Sequence, residues 1–149
     1  MEELNERDLE IIQTIKNDAR LSSHQISKKT GIPAATVNRR LRDMIKQGYI
    51  KKFVTVLDEE KLGKKTLAYV LLRCASGADY SIIMQDALKN ECVEDIAALT
   101  GQFDILLKVR VKDNDELSDF LFTKVRAFPQ VASTETLITL TIKKGLTKR

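Results

Sequence analysis

The stretch SSHQISKKTGIPAATVNRRLRDMIKQGYI, Ser22 to Ile50, decides how the first third of this chain folds. Ser22 with Gln25 three residues on is a capping-box pattern, so a short helix starts here with Ile26 facing inward. It ends near Thr30-Gly31, because glycine tolerates a left-handed helix end. A further helix starts at Pro33 or Ala34. Val37, Leu41, Met44 and Ile45 fall at i, i+4, i+7 and i+8 and make its inner face, and Gly48 ends it. Upstream, Leu4, Leu9, Ile12 and Ile15, with Ile11 beside them, recur at helical spacing. Asn5 caps that first helix, Glu6 and Asp8 sit in its first turn where the helix dipole favours acids, and it runs to about Asp18. A supporting helix, then two short helices joined by a tight turn, is the helix-turn-helix pattern.

The outer face of the third helix carries Ala34, Ala35, Asn38, Arg39 and Arg42, with Arg40 at its flank. Small residues at its start let the helix end approach base edges, and Asn and Arg can make paired hydrogen bonds to bases or phosphates. Charge sharpens this reading. The formal net charge is +4, but its distribution is uneven: residues 22–52 hold eight Lys or Arg against one acid, Asp43. The preceding 21 residues are net acidic, and residues 53–149 balance. Such focusing suggests a polyanionic partner for this segment. Lys28, Lys29, Lys51 and Lys52 supply mostly phosphate attraction. A plain three-helix bundle with a basic face is the competing account of the same residues.

The whole chain of 149 residues has room for one ordinary domain or two small ones. Its 43% apolar and 31% charged residues suit a folded protein rather than a disordered one. No apolar run reaches the ~18 residues of a membrane span, and the opening MEELNERDLE has no apolar signal core, so a cytoplasmic protein is expected. Cys74 and Cys92 have no metal-ligand spacing around them, and the only histidine is His24; buried free thiols are the expected state.

Tyr49-Ile50 leads into an extended stretch, Phe53 to Leu57, and Asp58 to Gly63 is a polar, turn-like joint. Thr66 to Cys74 is an apolar run of strand length. Asp79 to Lys89 has Ile82, Ile83, Ala87 and Leu88 at helical spacing. Val93–Leu99 and Phe103–Val111 are strands. Leu117, Phe120, Leu121, Val125 and Phe128 make another helix, closed by Pro129, and Val131 to Ile142 is a last strand. The order β-α-β-β-α-β predicts a ferredoxin-like sandwich, an α+β fold with two helices on one face of an antiparallel sheet. Strands this apolar would leave a patch on the other face, so a partner sheet is expected to cover it. The domains expected are a helix-turn-helix domain of the winged type over residues 1–52, a linker strand and joint over 53–63, and the sandwich over 64–149. Between the two middle strands lies the knot Gly101-Gln-Phe-Asp104. Gly101 permits the tight turn and Phe103 can simply pack. Asp104 could cap exposed amides or receive a ligand's ammonium group.

Taken together, these residues resemble the Lrp/AsnC, or feast/famine, family of transcription regulators over nearly the whole chain. Leu4–Ile12 is similar to the family's opening helix. SKKTGIPAATVNRRLRDMIKQGYIKKF resembles its helix-turn-helix signature, including the Thr36-Val-x-Arg39-Arg40 core. DEEKLG resembles the joint that follows, and Gly101–Asp104 resembles the glycine-polar-aromatic-aspartate turn of its effector domain. The resemblance implies double-stranded operator DNA as partner, and a homodimer built on paired sheets that assembles to a tetramer or octamer. It implies no cofactor, but a small effector, commonly an amino acid, bound between effector domains of different dimers. Thr100, Gly101, Phe103 and Asp104 would line that site from one subunit, with Thr134 and Thr136 as candidates from a facing one. Pro33 departs from the serine many relatives place there, which removes a hydroxyl that caps the helix and touches phosphate.

Two other functions share parts of this pattern. An architectural DNA-compacting protein would use the same basic helix with weak sequence preference. Siroheme decarboxylases resemble the family across both domains, but the sole histidine lies in the helix-turn-helix third rather than in the sandwich, so an enzyme is not expected.

Overall fold

The computed structural model describes residues 3–141, and the chain divides into two compact units at Val56/Leu57. The first unit holds three helices: α1 (Glu6–Asn17), α2 (Ser23–Thr30) and α3 (Ala34–Lys46). The expected capping box at Ser22 forms, and Asn5, expected only as a cap, forms a second box with Asp8. Asn5 accepts from the Asp8 amide at 3.0 Å and its own amide donates to the Asp8 carboxylate at 3.1 Å. Ser22 and Gln25 do the same at the start of α2. Each box satisfies two amides that the helix cannot pair internally. Gly31, at φ +71°, ends α2 in the left-handed region, and Ile32, buried, pins the turn to the core. That core is Ile11, Ile15, Ile26, Ile32, Val37 and Met44. Ile45, expected on the inner face, is instead 47% exposed: seen from Val37 it lies at the edge of the buried stripe, and Leu41 and Met44 close the interface before it.

Residues 51–58 join no strand ladder among the described residues, so the expected linker strand is not formed there. Phe53, Val54, Val56 and Leu57 are all exposed there.

The second unit is a four-stranded antiparallel sheet of β1 (Thr66–Cys74), β2 (Val93–Ala98), β3 (Ile105–Val111) and β4 (Val131–Ile138), in the order β2-β3-β1-β4. Helix α4 (Tyr80–Ala87) follows β1, and α5 (Asn114–Asp119) follows β3. This is the ferredoxin-like arrangement expected. Ala68, Val70 and Leu72 of β1 and Ile105, Leu107 and Val109 of β3 alternate onto the helix side. Ile83, Ala87, Leu117, Phe120 and Val125 meet them there. Ile82 of α4 and Leu88 at its C-terminal cap, expected inside, are exposed, because Ile83 and Ala87, one turn apart, fill the inner stripe.

The last helix is not one regular helix. It continues from α5 as a π-helical turn, Phe120–Lys124, and a 3-10 turn, Val125–Ala127. The step from Phe120 to Val125 is five residues, which a regular helix would rotate off the core. The π turn, with the Val125 amide donating to the Phe120 and Leu121 carbonyls, keeps both side chains buried. Strand β4 ends at Ile138, opposite Ala68 near the start of β1, rather than running on to Ile142. Ile142 and the closing Lys143, Lys144, Lys148 and Arg149 lie outside the described residues.

The sheet's other face is less apolar than expected. Tyr69, Leu71, Leu106 and Leu137 share it with an ionic cluster. Glu94 bonds Arg110 Nε at 2.6 Å and Lys108 Nζ at 2.8 Å, and Asp95 bonds Lys108 at 3.4 Å. Burial opposes the charge on Glu94, but the hydrogen bonds from Lys108 and Arg110 outweigh it and lower its pKa.

Candidate functional site

In α3 the residues expected to meet DNA fall on two different surroundings. Ala35, Asn38, Arg39 and Arg42 are exposed on one face, with Ala34 and Thr36 half-buried beside them. Arg39 lies 3.9 Å from Asp43, one turn on, an exposed contact weak enough for a phosphate or base to displace. Pro33 makes no side-chain cap at the start of α3, so the missing hydroxyl is not replaced by another group of that residue. Lys28 and Lys29, in the last turn of α2, and Lys51 and Lys52 are exposed.

Arg40 is placed otherwise than its flank position suggests. Its Nε stands 3.6 Å from Asp8 Oδ1, with the arginine side chain 20% exposed and the aspartate 3%. Asp8 therefore acts twice, capping the start of α1 and facing α3 with a buried carboxylate. A buried carboxylate gains from such a counter-charge, and this contact engages the Nε side of the Arg40 guanidinium.

The hairpin turn between β2 and β3 is built from both ends. The Leu99 amide donates to the Asp104 carbonyl at 2.7 Å, and the Asp104 amide donates to the Leu72 carbonyl at 2.9 Å. Gly101 sits at φ +130°, where a side chain is strained. The Asp104 carboxylate accepts from the Cys74 amide at 2.7 Å through Oδ2 and from the Tyr80 hydroxyl at 2.8 Å through Oδ1. These two bonds, the Cys74 amide first, hold the Asp104 carboxyl below the usual aspartate range, and the nearby Arg73 charge acts in the same direction. The same carboxylate pushes the Tyr80 phenol up, while burial first and Asp104 second push the Cys74 thiol up. Arg73 Nε donates to the Gln102 carbonyl at 3.0 Å, and its guanidinium carbon lies 5.9 Å from the centre of the Phe103 ring. Asp104 thus caps an amide, as one reading of the knot allows, and Phe103 packs half-buried under an arginine. Thr100 is exposed beside them.

Thr134 and Thr136 are not at this turn within the chain. They pair with Leu72 and Val70 of β1, which separates β4 from the hairpin strands. Thr134 instead borders a shallow depression with Val125, Arg126 and Ser133.

Asp8, Arg73 and Tyr80 are the residues that reading the sequence missed. Tyr80 and Cys74 are 24 and 30 residues from Asp104, and only the pairing of β1 with β3 brings them together. The acid at Asp8 carries a signal, its capping-box position, but nothing local shows that α3 covers it.

Residues 4–51 match the family described as winged helix-turn-helix DNA-binding. Residues 67–147 match the Lrp/AsnC ligand binding domain. The chain belongs to the Lrp/AsnC family. It is a DNA-binding transcriptional regulator of that family and carries its ligand-binding domain. Among its Lrp/AsnC relatives is the HTH-type transcriptional regulator FL11 of Pyrococcus horikoshii, 34% identical over 145 residues that cover 97% of this chain and 95% of the relative. The transcriptional regulator AzlB of Bacillus subtilis is 29% identical, covering 95% of this chain and 91% of AzlB. Among solved structures, the regulator NMB0573 of Neisseria meningitidis in complex with L-Met superposes with a TM-score of 0.92 at 21% identity, over 97% of this chain and 95% of that one. AsnC of E. coli superposes with a TM-score of 0.87 at 22% identity, over 99% and 98%. At that identity the two structures establish the shared fold. Among the described residues, no helix is long and apolar enough to cross a membrane.

Proposed function

We propose that this Lrp/AsnC regulator reads operator DNA through the exposed face of α3 and responds to an amino acid at the 100–104 turn. Asn38, Arg39 and Arg42 contact bases or their immediate surroundings, and Ala34, Ala35 and Thr36 let the helix approach. Lys28, Lys29, Lys51 and Lys52 attract phosphate. Arg40 acts from beneath, through Asp8, by holding α3 against α1. Two such helices in a homodimer enter successive major grooves on one DNA face, about one helical turn apart.

The observation that carries the effector half is the turn with its strand neighbour: the Asp104 carboxylate and the Phe103 ring on the hairpin, and the Arg73 guanidinium of β1 beside them. NMB0573 crystallised with L-Met, and that shared fold supports an amino acid as the ligand class here. Thr100, Gly101, Phe103 and Asp104 form one side of the site, and Thr134 and Thr136 belong to it only if a second copy supplies them. The exposed apolar residues Phe53, Val54, Val56 and Leu57 and the apolar half of the outer sheet face support self-association to a dimer and beyond. We place the domain boundaries at 1–52, 53–63 and 64–149. The protein acts by binding rather than turnover, as the naming of its relatives as transcriptional regulators supports, and it works where the DNA is, in the cytoplasm.

Replacing Arg39 by Ala tests the DNA half. Gel-shift titration on fragments selected by the native protein should show selective binding lost, while light scattering shows the same oligomer. Unchanged selectivity in R39A would remove Arg39 from the reading face.

A further inference from the structure

Arg7 lies in the first turn of α1 and is exposed. A cation there opposes the helix dipole, so the stability of α1 does not account for it. Among the described residues it makes no hydrogen bond or ion pair. It borders an open cleft of about 340 Å³ between α1 and α3, with Asn5 and Glu6 on its own side and Thr36, Arg39 and Arg40 on the other. The hydroxyls of Thr14, Thr30 and Thr123 each donate to the carbonyl one turn back, whereas that of Thr36 makes no hydrogen bond among the described residues. Asp8 and Asp43, the partners of Arg40 and Arg39, border a separate small recess instead. The cleft therefore carries three arginines against one carboxylate, Glu6. Charge along the sequence hides this, because residues 1–21 are net acidic and only the packing of α1 on α3 brings Arg7 to the basic face.

An α-helix with its side chains is about 10–12 Å across, and the major groove of DNA is about 12 Å wide. A helix lying in the groove fills it, and an element packed along its flank meets the sugar-phosphate backbone. Helix α1 is held along one flank of α3 by the Asp8–Arg40 pair. The cleft between them adjoins the reading face, since Arg39 belongs to both. A backbone phosphate brings a negative charge and unesterified oxygens. A guanidinium from one helix and a hydroxyl from the other match those needs.

We infer that Arg7, with the Thr36 hydroxyl across the cleft, grips a phosphate of the DNA strand flanking α3, which makes α1 part of the DNA interface. The inference rests on the reading of α3 as the recognition helix. Lys28, Lys29, Lys51 and Lys52 attract the backbone through long flexible side chains. Arg7 and Thr36 fix one point of it beside Arg39, and so set the register of α3 in the groove.

Binding of the full chain to duplexes selected by the native protein, and to scrambled duplexes, tests this when titrated at several salt concentrations. Arg7→Gln should bind the selected duplexes about tenfold more weakly, as expected for a charged hydrogen bond. Its plot of log affinity against log salt should be shallower by about one, with the order of preferred sites and the melting temperature unchanged. Arg7→Lys should keep the native slope. Thr36→Val, which keeps the shape and removes the hydroxyl, should bind about threefold or more weakly with the slope unchanged. Ethylation of individual phosphates before binding locates the contact: in Arg7→Gln one phosphate per half-site should cease to matter. A native slope in Arg7→Gln overturns the inference, as does an interference pattern identical to that of the native protein, and native affinity in Thr36→Val overturns the part given to its hydroxyl. If the native protein binds selected and scrambled duplexes equally at every salt concentration, the recognition-helix reading fails first and takes the inference with it. Selectivity lost in Arg39→Ala beside a native slope in Arg7→Gln overturns the inference alone.

Discussion

Asp8 is 2% exposed, yet the sequence marks it only as an acid in the first turn of a helix. Its position under Arg40 changes what a substitution does. Arg40→Ala leaves the Asp8 carboxylate buried with, among the described residues, the Asn5 amide as its donor, and should cost about 1–3 kcal/mol of stability. Asp8→Ala also removes half of a capping box, worth about 1 kcal/mol. Thermal melts of the two variants measure both losses, and an unchanged melting temperature in Arg40→Ala would show that the pair is electrostatically idle. Asp104 is a different case, since its bonds lower its pKa. A carboxylate whose folded pKa lies below its unfolded value stabilises the fold when ionised. That stability is present above the unfolded value, about 3.9, and is lost as pH falls through the lower folded value. Glu94 acts in the same direction. Melting temperature should therefore fall on acidification below about pH 4, and Asp104→Asn should be less sensitive there than the native chain. At neutral pH the same variant should lose any amino-acid response while keeping its fold.

At the scale of elements, the local signals were legible and the long-range ones were not. The Asn5 cap, the Ser22 capping box, the left-handed Gly31, and the limits of β1 follow from residues within a few positions of one another. The apolar order that sets the ferredoxin-like topology is equally local. Ile45, Ile82 and Leu88 were misplaced because periodicity defines a stripe but not its width, which depends on how much area the neighbouring element covers. The π turn at Phe120–Lys124 is not visible in a single helical period, because burying both Phe120 and Val125 needs a local change of period. Of the candidate site, the exposed face of α3 and the Gly101–Asp104 turn were readable, but the partners that hold them, Asp8 and Tyr80, come from tertiary pairing alone. Gly31 gives this scale its own test. At φ +71° an alanine is strained but meets no neighbour. Gly31→Ala should thus cost about 1–2 kcal/mol through backbone conformation, read as a lower denaturant midpoint with an unchanged slope. A changed slope would mean that the turn between α2 and α3 rearranges instead.

For the whole molecule, the concentration of positive charge in the helix-turn-helix third makes DNA affinity strongly dependent on salt. The logarithm of affinity should fall linearly with the logarithm of salt concentration. Replacing Lys28 and Lys29 together by Ala should reduce that slope by about two while preserving the order of preferred sites. A base-contacting residue such as Arg39 behaves in the opposite way, changing site preference more than slope. If an effector alters how dimers assemble, DNA and effector must each change the other's binding by the same factor, because coupling free energy is shared between the two sites. The measurement that reaches this claim most directly is selection of genomic fragments by the purified protein at fixed, near-physiological salt, with and without a mixture of the twenty amino acids. The account predicts recovery of a small set of sites with two-fold symmetry, and a different recovery when the amino acids are present. Uniform recovery of all fragments, indifferent to the mixture, would contradict it and leave a DNA-compacting protein in its place.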